Sequence, residues 1–105
     1  ASSSIKEIAT VAQFDQESTA PGKTLVYFHA DWCGACRKSK PALAAVANEY
    51  SNRAAFRSVN VDGVPELSER FSVQYLPTFV VLENGKEVQR IVGGVSEEEL
   101  AEAVS

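Results

Sequence analysis

The sequence predicts an α/β fold: a central mixed five-stranded sheet flanked by four helices in the order βαβαβαββα. Three observations carry this. The run "TLVYFHA" (residues 24–30) is continuously apolar, β-branched and aromatic, as in a strand buried on both faces at the centre of a parallel sheet. The stretch "PTFVVLENGKEVQRIVG" (77–93) holds two β-rich runs joined at Asn84-Gly85, the turn chemistry of an antiparallel hairpin. Helical patterns separate the earlier strands, so their crossovers permit parallel pairing and place helices on both faces.

The elements follow in order. "SIKEI" (4–8) is short and alternating, a first strand. "TVAQFDQEST" (10–19) is helical, with Thr10 as N-cap and Val11, Phe14 and Ser18 on one face. Pro21-Gly22 punctuates the chain before the buried strand. "CRKSKPALAAVANEY" (36–50) is an alanine-rich helix with Ala42, Val46 and Tyr50 spaced four apart. Pro41 inside it removes a backbone donor and crowds the preceding turn, which predicts a kink. "AAFRSVNVD" (54–62) is a strand burying Phe56, Val59 and Val61, and "VPELSERF" (64–71) is a short helix with Pro65 in its first turn. After the hairpin, "SEEELAEAV" (96–104) opens a last helix with a capping box, Ser96 and Glu99. Its glutamates suit the positive end of the helix dipole.

A chain of 105 residues, 45% hydrophobic and 23% charged, suits one soluble domain spanning residues 1–105. The net charge of −4 and the lack of a basic block argue against nucleic acid as a partner. No apolar run approaches the length of a membrane span. The N-terminus has no charged leader followed by an apolar stretch, so no signal peptide is expected. Two cysteines are too few for a disulfide scaffold. The expected location is therefore a reducing compartment, the cytoplasm, or an organelle if a targeting segment has been removed.

The chemistry concentrates in "HADWCGACRK" (29–38), which holds the only histidine, the only tryptophan and both cysteines. A closed zinc site needs four N or S ligands, and the chain offers two thiols and His29. A metal or cluster shared between two chains stays open, as does a pair of buried thiols acting as small hydrophobes. The flanks favour a redox couple. The pair sits where a buried strand gives way to a helix, so Cys33 lies near a helix N-terminus, where backbone donors and the dipole stabilise a thiolate. Cys36 is one turn later, within reach of a small disulfide ring and expected to be the more buried thiol. One sulfur attacks and the other resolves, as disulfide exchange requires.

The motifs "DWCGAC" with Pro41 behind it, "VNVD", "YLPTFVVLENGK" and "VGG" stand in an order and spacing that resembles the thioredoxin family over nearly the whole chain. The resemblance implies the thioredoxin fold, with Cys33 the exposed attacking thiol and Cys36 the resolving one. It implies a cis Leu76–Pro77 bond that sets the Leu76 backbone beside Cys33 to pair with an extended substrate peptide. It places Trp32, Gly34, Ala35, Val92, Gly93 and Gly94 in an apolar docking rim. It further implies no bound cofactor besides a redox-active Cys33–Cys36 disulfide, and no metal site.

Four positions depart from the family pattern, in three departures. Ala35 stands where proline is usual, which leaves a looser turn and one more N–H to stabilise a thiolate. Tyr27 and Ser58 replace a buried aspartate and the lysine beside it, and an unperturbed tyrosine is no base at neutral pH. His29 replaces an aromatic residue and shares a strand face with Tyr27. It either fills the aromatic slot or, with Tyr27, relays protons to the cysteine pair. Asp31 and Arg37 flank the motif as tuning or merely solvated charges.

The expected function is that of a protein-disulfide reductase, a thioredoxin-type electron carrier. The expected partners are protein disulfides and, by resemblance, a flavin- and NADPH-dependent thioredoxin reductase, with the chain a monomer. The competing readings are a less reducing disulfide oxidase or isomerase, a dimeric iron–sulfur protein held by Cys33 and Cys36, and a redox-regulated docking module.

Overall fold

The computed structural model describes residues 5–18 and 22–105. Ser4, the Ser18 side chain and Pro21, which figured in the sequence reading, lie outside the described residues. In chain order the elements are β1 (Ile5–Glu7), α1 (Val11–Ser18), β2 (Lys23–His29), α2 (Gly34–Glu49), β3 (Ala54–Asn60), α3 (Pro65–Arg70), β4 (Thr78–Glu83), β5 (Lys86–Val92) and α4 (Glu97–Val104). They realise the expected order βαβαβαββα.

The five strands form one sheet in the order β1-β3-β2-β4-β5. Strand β2 is central, and Leu25, Val26 and Phe28 on it are fully buried. Its neighbours differ from a purely parallel setting, because β3 pairs with it parallel and β4 antiparallel. A run buried on both faces reports centrality in the sheet, and the direction of its neighbours is set by the connections. The β4–β5 hairpin turns at Asn84 and Gly85, both at positive φ (52° and 87°), the geometry an Asn-Gly turn supplies.

Two apolar layers sandwich the sheet. One joins Phe14 of α1 and Leu67 of α3 to Val26, Phe28, Val59 and Val80. The other joins Leu43, Val46 and Ala47 of α2 and Leu100 and Val104 of α4 to Leu25, Tyr27, Phe79 and Val81. Helix α1 is opened by Thr10, whose Oγ1 accepts the Gln13 N–H at 3.0 Å. Helix α4 carries the full capping box, Glu99 N–H to Ser96 Oγ at 3.2 Å and Ser96 N–H to Glu99 Oε1 at 3.1 Å.

Helix α2 runs as one element through Pro41, which is exposed and leaves the Arg37 carbonyl without its helical donor. Its buried stripe is Cys36, Ser39, Leu43, Val46 and Ala47, with Ala42 and Tyr50 at the margin. The helical period places the inward line along Cys36, Leu43 and Ala47, one position round from the spacing of four. No helix among the described residues is long and apolar enough to cross a membrane.

Candidate active site

The largely buried β2 delivers the chain to the C-terminal end of the central strand, and α2 begins at Gly34. Cys33 is the N-cap of α2, with extended backbone (φ −86°, ψ 105°), and its Sγ accepts the Cys36 N–H at 3.1 Å. A sulfur in an N-cap position takes the place of the usual capping oxygen, and a thiolate there gains both that hydrogen bond and the positive end of the helix dipole. Cys33 and Cys36 are disulfide-bonded, with Cα atoms 5.3 Å apart. Cys36 is the more buried, as expected, at 2% exposure. Cys33, expected to be exposed, retains 6%. In the oxidised pair both cysteines belong to the apolar layer beneath α2.

Around the pair the expected rim is mostly at the surface. Trp32 is 67% exposed and donates its Nε1–H to Asp62 Oδ2 at 2.9 Å, which tethers the indole. Gly34, Ala35, Val92 and Gly94 are exposed, while Leu76 and Gly93 are half-buried and Pro77 is buried. A Cβ built on Gly34, Gly93 or Gly94 would meet nothing within 4 Å, so open space lies in front of all three. Gly93 has φ +91°, a conformation that suits glycine, and donates its N–H to the Pro77 carbonyl at 2.8 Å. This bond ties the glycine pair to the Leu76–Pro77 peptide, which is cis. Tyr75, which the sequence reading passed over, is 68% exposed immediately before Leu76. Thr78 Oγ1 donates to its carbonyl at 2.5 Å.

On the other side of Cys36, Tyr27, Ser58 and His29 meet, while Ala35 stays in the rim. Tyr27 stacks between His29 (centroids 4.9 Å apart, planes at 12°) and Phe79 (5.2 Å, 20°). Its hydroxyl donates to the Cys36 carbonyl at 2.9 Å, so it holds the backbone of the resolving cysteine. Burial, reinforced by the nearby Glu7 carboxylate, pushes the Tyr27 phenol up to about 12. His29 is half-buried, with Nε2 3.3 Å from Glu7 Oε1. Glu7 is the residue that sequence reasoning missed. It lies on β1, and only the β1–β3–β2 register, Glu7 to Ser58 to Tyr27, brings it there. Asp31 and Arg37 are exposed, and Arg37 Nη1 donates to the Asp31 carbonyl at 2.9 Å. Among the described residues no group of three or more His, Cys, Asp or Glu side chains could hold a metal ion.

Comparison with known proteins agrees with this geometry. The thioredoxin family model matches residues 5–105. Thioredoxin H2 of Arabidopsis thaliana is 41% identical over 74 residues, which cover 70% of this chain and 55% of that protein's own length. The thioredoxin of Staphylococcus saprophyticus is 35% identical over 95 residues, 90% of each chain. Among solved structures, Malassezia sympodialis thioredoxin superposes with a TM-score of 0.90 at 25% identity, covering 98% of this chain and 90% of that one.

Proposed function

The chain belongs to the thioredoxin family and is a thiol–disulfide oxidoreductase, and on that premise we propose that it reduces protein disulfides with Cys33 attacking and Cys36 resolving. The Cys33 thiolate attacks one sulfur of the substrate disulfide, forming a mixed disulfide and releasing the first substrate thiol with a proton from solvent. The Cys36 thiolate then attacks Cys33 Sγ, the bond to substrate breaks, and the second substrate thiol leaves. Two electrons pass to the substrate and the Cys33–Cys36 disulfide remains. The observation that carries the assignment is the Cys36 N–H on Cys33 Sγ at the helix N-terminus, which favours the thiolate of Cys33 over that of Cys36.

The rim supports a role in docking. Trp32, Gly34, Ala35, Val92, Gly93 and Gly94 offer a low apolar surface with open space before it, and an extended substrate segment pairs with the Leu76 backbone beside cis Pro77. Thioredoxins need no cofactor besides the redox-active disulfide, and the domain works with none of its own. Re-reduction falls to a flavin- and NADPH-dependent thioredoxin reductase. We place the protein in the cytoplasm as a monomeric electron carrier, consistent with its sparing use of cysteine.

The test is a trapping experiment with insulin as the protein disulfide. Wild type turns insulin over with a dithiol reductant, Cys36→Ser accumulates an insulin mixed disulfide on Cys33, and Cys33→Ser accumulates none. A mixed disulfide on Cys36 in the Cys33→Ser protein, with none in Cys36→Ser, would reverse the roles.

A further inference from the structure

We propose that Glu7 and His29 form a proton-transfer couple that serves Cys36 through the cavity behind it. This rests on the oxidoreductase reading and concerns its second step, in which the Cys36 thiol must lose a proton before it can attack. A cavity of about 610 Å³ is lined at once by Cys36, Tyr27, His29, Glu7 and Ser58. His29 lies two residues from Tyr27 on β2 and therefore on the same face, the face that α2 covers.

The hydrogen bonds define the couple. Glu7 Oε1 accepts from Ser58 Oγ at 2.5 Å, and Glu7 Oε2 accepts the Asn60 N–H at 3.2 Å. The short side chain of Ser58 lies between Glu7 and Tyr27 in the strand register, and it lets the Glu7 carboxylate reach across β3 to His29. A carboxylate only accepts, so the His29 Nε2 that faces it carries the ring hydrogen, and Nδ1 is left as the proton acceptor. The stack on Tyr27 holds the ring plane. Tyr27 is unsuited to the task, since its hydroxyl is committed to the Cys36 carbonyl and burial keeps it protonated.

Other charged groups face the same cavity. Arg37 and Lys40 line it from α2, and Asp31 lines it from the β2–α2 connection. The two cations favour a thiolate through space but carry no lone pair to accept its proton. Asp31 is an exposed carboxylate and competes as an acceptor, whereas the Glu7 oxygens are already engaged with Ser58, Asn60 and His29.

In the step itself, neutral His29 takes the Cys36 proton through cavity water and becomes an imidazolium balanced by Glu7. The Cys36 thiolate attacks Cys33 Sγ, the bond from Cys33 to substrate breaks, and the departing substrate thiolate is protonated from the imidazolium through water. The couple ends as it began. His29 is the proton acceptor, and Glu7 is a positioning residue that sets its tautomer.

The test follows a single turnover of reduced protein with insulin from pH 5 to 9, quenched in acid, with the mixed disulfide measured by mass spectrometry. Wild type shows a transient mixed disulfide. His29→Phe, which keeps an aromatic ring in the slot, accumulates it, because release slows by about 100-fold, the scale of general acid–base catalysis. The pH profile of release changes shape in that variant, and Glu7→Gln also slows release. If both variants release substrate at the wild-type rate with the wild-type profile, the proposal is overturned. It is also overturned if Asp31→Asn slows release and reshapes its pH profile while His29→Phe does neither. A wild-type protein that forms no mixed disulfide at all would instead remove the oxidoreductase reading beneath it.

Discussion

Replacing Tyr27 with phenylalanine isolates one hydroxyl and yields two effects of opposite sign. Near neutral pH the variant loses the bond from Tyr27 to the Cys36 carbonyl, 2.9 Å in a site where Tyr27 is only 4% exposed. A hydrogen bond of this kind contributes about 1 kcal/mol net, so Tyr27→Phe should be less stable by about that amount at pH 7. At alkaline pH the sign reverses. The phenol titrates near 10.0 when free and at about 12 in the fold, chiefly because burial disfavours the phenolate. Between those values the folded state holds a proton that the unfolded chain has lost, so wild-type stability falls as pH rises. Two units correspond to about 2.7 kcal/mol at the limit, and about half of it is lost by pH 11. The phenylalanine variant lacks this dependence. Urea unfolding of both oxidised proteins at intervals from pH 7 to 12 should therefore give stability curves that cross at about pH 11. Parallel curves to pH 12, or equal stability at pH 7, would refute the reasoning.

Two further outcomes follow from named contacts. Ala35→Pro removes an N–H from the first turn of α2, beside Cys33, and stiffens the backbone between the cysteines. Equilibration with glutathione buffers should show the variant more reducing by about 30 mV, a tenfold shift in the equilibrium, and a variant no more reducing than its parent would remove the idea. Ser96→Ala breaks the capping box that starts α4, the helix that seats Leu100 and Val104 on the core. It should cost about 1 kcal/mol and lower Tm by about 4 to 8 °C in a thermal melt monitored by circular dichroism, with disulfide reduction at pH 7 unaffected.

Local chemistry made most of the fold legible. The Asn84-Gly85 turn, the Ser96–Glu99 box, Thr10 at the start of α1 and Pro65 in the first turn of α3 are decisions among residues within four positions of one another. The buried run of β2 announced its centrality because burial on both faces leaves no room for a polar alternation. The active-site pair was legible for a similar reason, since a strand-to-helix junction fixes one cysteine at the helix end and the other a turn later.

What the chain left open is set by contacts distant in sequence. Glu7 reads as one carboxylate on a short first strand, and nothing near it points to His29, 22 positions away. Pairing of β1 with β3, and of β3 with β2, puts Glu7, Ser58 and Tyr27 in one row and makes a polar cluster of three unrelated stretches. The accessibility of Cys33 was misjudged because the helix-end argument concerns charge, whereas burial depends on how α2 and its neighbours pack over the sulfur. Trp32, by type a core residue, is held at the surface by Asp62 thirty positions on. The sequence by itself determined the element order, the turns and caps, and the redox pair, because these rest on backbone preferences and short-range periodicity. Tertiary structure alone decided which carboxylate faces the histidine behind Cys36, because strand register brings together side chains that the chain keeps apart.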